Sequence, residues 1–288
     1  MERQVRGGRD VRRWHAVWTL ALLSAALAIW QVDRLANVHA LQRGQDRAET
    51  ALRLTENALA GYLARYQSVA LLLADLETVR ALAEDPANFD RRARIDALLK
   101  ARNDQLGSSD IYLMNADGVT IAASNHDQSH SFVGQKFHYR PYFTQAISGG
   151  EGRFYGVGTM SGVRGYYFSA PVRDAGGRTI AVLAVKIALD GVESSWQGRG
   201  LRIYVTDPDG VLFMASRPDW RYRAIAPVSR GWQDRADPTQ RYDGMAIRPL
   251  LHEERKAGDV RLIDIAEGPV RHEYIAVSKP MPDAGWTV

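Results

Sequence analysis

Lys186 lies in the run Val182-Leu-Ala-Val-Lys-Ile-Ala188, a strand too apolar to carry a charge casually. At a period of two, Leu183, Val185, Ile187 and Leu189 share one face, suited to packing on helices. Val182, Ala184, Lys186 and Ala188 share the other. Small residues around one ammonium make a hollow with a cation at its floor, which suits an anion. A lysine snorkelling to solvent from a half-exposed sheet is the other reading of the same residues. Arg140-Pro141-Tyr142-Phe143 adds a second cation. Proline at a first helical position puts Arg140 at a helix N-terminus, where free N–H groups favour negative charge and a guanidinium can clamp a carboxylate through two parallel bonds. Gly158-Thr159-Met160-Ser161-Gly162 offers two hydroxyls and close backbone approach between two strands, or an ordinary hairpin turn. Arg140 and Lys186 together could neutralise the two ends of a short diacid.

Catalysis finds less support. There is no Gly-x-Ser-x-Gly elbow, no phosphate loop and no His-Glu-x-x-His. Gly156-Val-Gly158 lacks a third glycine at the required spacing and precedes a strand rather than opening a helix. His252-Glu-Glu-Arg255 lacks the proline that a phospho-acceptor box carries further on, and reads as a solvated charged turn. Asp207, Asp209 and Asp243 read as turn residues before metal ligands. No catalytic residue, metal or cofactor is expected.

The elements that must position these residues follow from periodicity. Over 41–83 apolar residues recur three and four apart (Leu52, Leu59, Leu63, Tyr66, Val69, Leu73, Leu76), which predicts one long helix ended by Asp85-Pro86. A second helix is predicted over 89–106, stopped by Gly107. The period then changes to two: a hairpin at 111–114 and 119–122 about Asp117-Gly118, then strands at 153–158, 164–170 and 179–189, with a short helix at 139–147.

Before all of these, Trp14 to Val32 runs 19 residues without a charge, close to the 20 or so that cross about 30 Å of hydrocarbon. Trp14, Trp18 and Trp30 mark its ends. Arg3, Arg6, Arg9, Arg12 and Arg13 precede it and place residues 1–13 in the cytoplasm and the rest of the chain outside. A cleaved signal peptide ending near Val38-His39-Ala40 is the alternative; the length of the run and its tryptophans favour an anchor. The chain of 288 residues carries a net charge of +4. Against Glu2 and Asp10 the five arginines leave +3 in the first 13 residues, so only +1 remains on the other 275. No basic field is left for nucleic acid. The absence of cysteine excludes disulfides, thiol catalysis and cysteine-bound metals.

An internal repeat organises the exported part. Ile111-Tyr-Leu-Met-Asn-Ala-Asp-Gly-Val-Thr-Ile-Ala-Ala-Ser124 matches Ile203-Tyr-Val-Thr-Asp-Pro-Asp-Gly-Val-Leu-Phe-Met-Ala-Ser216 at 7 of 14 positions without a gap. Two like-built α+β domains in tandem are therefore expected, meeting near 190–200, where Trp196 precedes Gly198-Arg199-Gly200.

The residues Ser124-Asn125, Ser131-Phe-Val-Gly134, Arg140-Pro-Tyr-Phe143, Phe154-Tyr-Gly-Val-Gly158-Thr-Met-Ser161, Arg164-Gly-Tyr-Tyr-Phe-Ser-Ala-Pro-Val172 and Val185-Lys186 resemble the periplasmic sensor of the four-carbon-dicarboxylate transport sensor histidine kinases. The resemblance is sharp over 124–196 and looser beyond. It implies a transmembrane helix at 14–32, a helical stalk at 41–106 and two tandem PAS-like (double Cache) antiparallel-sheet domains, membrane-distal at 107–197 and membrane-proximal at 198–288. It implies a ligand site in the distal domain: Arg140 and Lys186 on the carboxylates of succinate, fumarate or malate, Tyr142 on the pocket wall, Thr159 and Ser161 donating hydroxyls, and Gly158 admitting the backbone. Ser124, Phe137, Tyr155 and Tyr166 are further wall candidates or ordinary packing.

The resemblance also implies an inner-membrane homodimer, a dicarboxylate transporter as partner, and a kinase part facing a response regulator. In that family a second membrane helix, a phospho-acceptor domain and an ATPase domain follow, so a fragment ending where the second helix would begin is expected. Chemotaxis receptors and cyclic-dinucleotide enzymes use Cache sensors too, and an anchored solute-binding protein is a further alternative.

Overall fold

The structure, a computed structural model, describes residues 7–198, 200–225, 238–242, 244–250, 252–268 and 270–288. Residues 1–6 of the expected basic tail, Arg199 and Asp243 lie outside them. By its internal contacts the chain forms two compact bodies, residues 52–251 with 278–288 and residues 1–51 with 252–277.

In the first body the end of α1 (Gly7–Ala74) is followed by α2 (Glu77–Glu84) and α3 (Phe89–Leu106). The predicted single helix over 41–83 breaks at Asp75-Leu76: Leu76 turns extended (φ −65°, ψ 129°) and caps a new helix. The break allows Leu73 and Ala74 on one side of it, and Val79, Leu82 and Ala83 on the other, to bury in the same core. α3 starts on Asn88, whose side chain accepts the Arg91 N–H, and stops at Gly107 in the left-handed region (φ 64°), as the sequence predicts.

Five antiparallel strands make the first sheet: β1 (Asp110–Asn115), β2 (Thr120–Ala123), β3 (Gly152–Val157), β4 (Arg164–Arg173) and β5 (Thr179–Ile187), in the order β2-β1-β5-β4-β3. Parity along β5 sorts its residues as predicted. Leu183, Val185 and Ile187, with Leu189 just beyond, join the core shared with Leu59, Leu63, Tyr66 and Leu99. Val182 and Ala184 face a second core with Tyr112, Met114, Tyr167 and the aromatic residues of α4 (Pro141–Ile147). Each fully buried aliphatic side chain stabilises the fold by about 1.5–3 kcal/mol.

The repeat is a structural one. In the first copy the Ile111 N–H donates to Ser124 Oγ (2.9 Å) and the Ser124 N–H to the Ile111 carbonyl (2.8 Å). In the second, β6 (Tyr204–Thr206) and β7 (Val211–Ala215), Ile203 and Ser216 make the same two bonds at 3.0 and 2.7 Å. Both hairpins carry one register shift, at Leu113/Met114 and at Val205/Thr206, and both turn on a glycine at φ 77°. The second hairpin lies in a six-stranded sheet with β8 (Arg223–Ala224), β9 (Arg248–Pro249), β13 (Pro280–Met281) and β14 (Trp286–Thr287), in the order β13-β14-β6-β7-β8-β9.

In the other body, β10 (His252–Ala257), β11 (Val260–Glu267) and β12 (Val270–Ile275) form a meander. The expected charged turn at His252-Glu-Glu-Arg255 is thus a strand. Its charges pair across the meander, Arg255 with Asp264 of β11 and Glu273 of β12, and Glu253 with Arg271 of β12 at 2.7 Å. A strand whose central residues are all exposed, with its charges paired across the sheet, imitates the polarity of a turn.

Candidate functional site

β5 delivers Lys186 between Asp110 of β1 and Tyr167 of β4, its register partners on the two sides. The side chain is 2% exposed. Its ammonium donates to Ser161 Oγ (3.1 Å), lies 3.7 Å from Asp110 Oδ2 and sits near the Tyr167 ring. Burial pushes the Lys186 ammonium below the usual lysine range, against the pull of Asp110; Arg140 pushes the same way as burial. Burial also pushes the Asp110 carboxyl up. Two glycines leave room for the lysine stem and its turn. A Cβ on Gly165 would stand 2.9 Å from Lys186 Cε, and one on Gly158 2.6 Å from Ser161 Oγ.

Arg140 is the residue before the first turn of α4, which begins at Pro141 rather than at Tyr139. It is buried, and its guanidinium is already engaged. Nη2 donates to the Val157 carbonyl (2.8 Å), and Nη1 to the carbonyls of Thr239 (3.0 Å) and Gln240 (3.1 Å). The open two-pronged clamp expected of it is therefore half occupied by main chain. Tyr142 stacks on Tyr167 with rings 4.9 Å apart and accepts the Tyr112 hydroxyl at 2.7 Å. Burial pushes all three phenols upward, so they remain neutral donors.

These residues line a narrow, partly open cavity of about 10 Å³, room for about one water molecule. Its aromatic wall is Tyr112, Phe132, Phe137, Tyr142 and Tyr167, and its rim is Arg140 with Gly158, Thr159, Met160 and Ser161. Five of the six expected site residues line it. The sixth, Lys186, stands behind Ser161 and reaches the wall through that hydroxyl. Thr159 is exposed, and its hydroxyl pairs with Tyr139 (3.2 Å).

Of the further wall candidates, Phe137 alone takes that place. Ser124 fastens the hairpin, and Tyr155 and Tyr166 belong to the opposite, helix-facing core. The sequence reading missed Asp110, Tyr112, Phe132 and Tyr167. Tyr167 was accessible from parity, because the residue opposite Lys186 must share its face. Among the described residues no group of three or more His, Asp or Glu is gathered where it could hold a metal ion.

Residues 47–199 match the single cache domain 3 family, a span that includes the whole cavity. The chain belongs to that family. The C4-dicarboxylate transport sensor protein DctB of Pseudomonas aeruginosa is 33% identical over 96% of the chain, and that of Rhizobium meliloti 31% identical over 96%. The chain spans 42% and 45% of the length of these two relatives. Among solved structures, the sensor domain of the V. cholerae histidine kinase DctB superposes with a TM-score of 0.78 at 26% identity, covering 84% of this chain and 94% of that one. This Cache chain is accordingly a sensor region of the DctB type, and its long first helix and antiparallel sheets are those of that sensor fold. In chemical terms, the Cache cavity presents a buried ammonium relayed through a hydroxyl, a half-engaged guanidinium, and aromatic walls.

Proposed function

We propose that the chain is the extracytoplasmic sensing region of a two-component sensor histidine kinase and binds a four-carbon dicarboxylate such as succinate, fumarate or malate. The observation that carries this reading is Lys186, an ammonium almost wholly buried, bonded to Ser161 on the rim of a cavity that Arg140 also lines. A buried ammonium that pairs with Asp110 on one side and bonds a hydroxyl of the cavity rim on the other suits a ligand anion. One ligand carboxylate would take Lys186 and Ser161, and the other the donors of Arg140 left over from its three carbonyl bonds. The DctB names of the relatives support the same ligand class.

In this reading the uncharged N-terminal run crosses the inner membrane, residues 1–13 stay in the cytoplasm, and the modules at 107–197 and 198–288 lie in the periplasm. The sensor works as a homodimer, with a transporter and a response regulator as partners of the whole protein. The ligand biases signalling by its difference in affinity between two states, about 1–3 kcal/mol in typical allosteric systems.

Calorimetry on the chain in detergent with succinate, malate, fumarate, acetate and valine tests the proposal. Diacids are expected to bind and acetate and valine not to. Lys186→Ala is expected to weaken succinate by about 100-fold, the loss of a buried charged partner. Valine binding without succinate binding contradicts the proposal. A second reading, an amino-acid sensor, is favoured by Asp110, whose carboxylate beside Lys186 could take an α-ammonium.

A further inference from the structure

The two copies of the repeat part company at Asn115 and Asp207. Asn115 Oδ1 accepts the N–H groups of Asp117 (3.1 Å) and Val119 (2.9 Å), which closes the first hairpin turn. Asp207 Oδ1 does the same in the second, with Asp209 (3.0 Å) and Val211 (2.9 Å). An amide is therefore sufficient for the turn. A carboxylate adds a second acceptor, Oδ2, and that atom takes Arg241 Nη1 (3.0 Å) and the Tyr242 hydroxyl (2.8 Å). The Asp207 side chain is 2% exposed, so these are well-shielded, charge-assisted bonds.

Thr239 and Gln240 meet the cavity's arginine, and Arg241 meets β3 beside it. The Val157 N–H donates to the Arg241 carbonyl (2.8 Å), and Arg140 donates to the carbonyls of Thr239 and Gln240. The Arg241 and Arg140 guanidinium groups each lie 5.5 Å from the Phe154 ring. Gln240 has φ 52°, a left-handed conformation that a non-glycine residue holds only when its surroundings fix it. An arginine has five N–H donors; three are committed here, leaving one on Nε and one on Nη2.

We propose that Asp207 is a positioning residue for the ligand site: through Arg241 and Tyr242 it fixes the 239–242 segment, whose carbonyls set the orientation in which Arg140 meets a ligand carboxylate. The inference rests on the reading of Arg140 as a ligand cation. It places a determinant of affinity in the hairpin turn of the second sheet, outside the span that matches the Cache family.

Asp207→Asn tests it in the whole chain, since asparagine keeps the turn as Asn115 does. Two readouts are expected to move. Amide exchange at Val157 speeds up by about tenfold while Val211 is unchanged, and succinate binds about tenfold more weakly, the size of one charge-assisted bond. In an Arg140→Ala background the same substitution causes no further weakening, which a merely structural role would not predict. Unchanged Val157 exchange, or unchanged succinate affinity with Arg140 intact, overturns the inference. A wild-type chain that takes no succinate overturns the function proposed above instead, and the exchange at Val157 then decides this inference by itself.

Discussion

At Lys186 opposing influences act on one ammonium. Burial and the Arg140 charge push its pKa down, and Asp110 pulls it back up. The unfolded chain therefore keeps this proton to higher pH than the folded one, and folding gains stability as pH rises from the depressed value towards about 10.4, the ordinary lysine value. Ligand binding has the opposite sign. A diacid needs the charged form, so its affinity is full below the depressed pKa and falls as pH rises through it. Lys186→Arg keeps its charge and is expected to bind with a flat profile to about pH 10. Titrations at stepped pH check this, and a wild-type profile as flat as the variant's would remove the buried ammonium from the account. The lysine was legible because parity inside one apolar strand assigns it a face. Asp110 was not, because its opposition to Lys186 exists only once β1 and β5 are neighbours, and those strands are far apart in sequence.

Among the elements, Arg164 ties the first sheet to the second. From β4 it reaches Asp190 and Glu193 of α5 (Asp190–Ser194) and the carbonyl of Phe213 on β7 at 2.9 Å. Glu193 in turn accepts the Ala215 N–H at 2.7 Å. Removing one partner of a buried pair leaves the other charge uncompensated, so Arg164→Ala is expected to cost about 3–5 kcal/mol. Urea unfolding measures it, and a loss below about 1 kcal/mol would mean that Arg221, 3.6 Å from Glu193, takes over the pairing. The sequence revealed elements better than their joints. Gly107 and the two Asp-Gly turns are local signals and came out where chemistry puts them. The break at Asp75-Leu76 carries no glycine or proline; the sheet that α2 packs against imposes it. The strand at His252–Ala257 was hidden because its outward charges pair across a sheet that no short window of sequence reveals.

On the scale of the whole chain, the first helix is long and apolar enough to cross a membrane, and the residues of its most apolar window are all exposed, Leu20, Leu22, Leu23, Leu27 and Ile29 among them. Exposed apolar surface of that extent supports the membrane placement proposed above. The Asp207 contacts and the Arg164 cluster tie the second sheet closely to the first, so the proposed ligand site belongs to a larger unit than the family match alone covers. The most direct test of the central claim is a crystal structure of the chain grown with succinate. One carboxylate is expected against Lys186 Nζ and Ser161 Oγ and the other against Arg140, with the four-carbon chain between Tyr142 and Phe137. Succinate bound anywhere else, or bound there with neither carboxylate touching Lys186 or Arg140, would contradict the account.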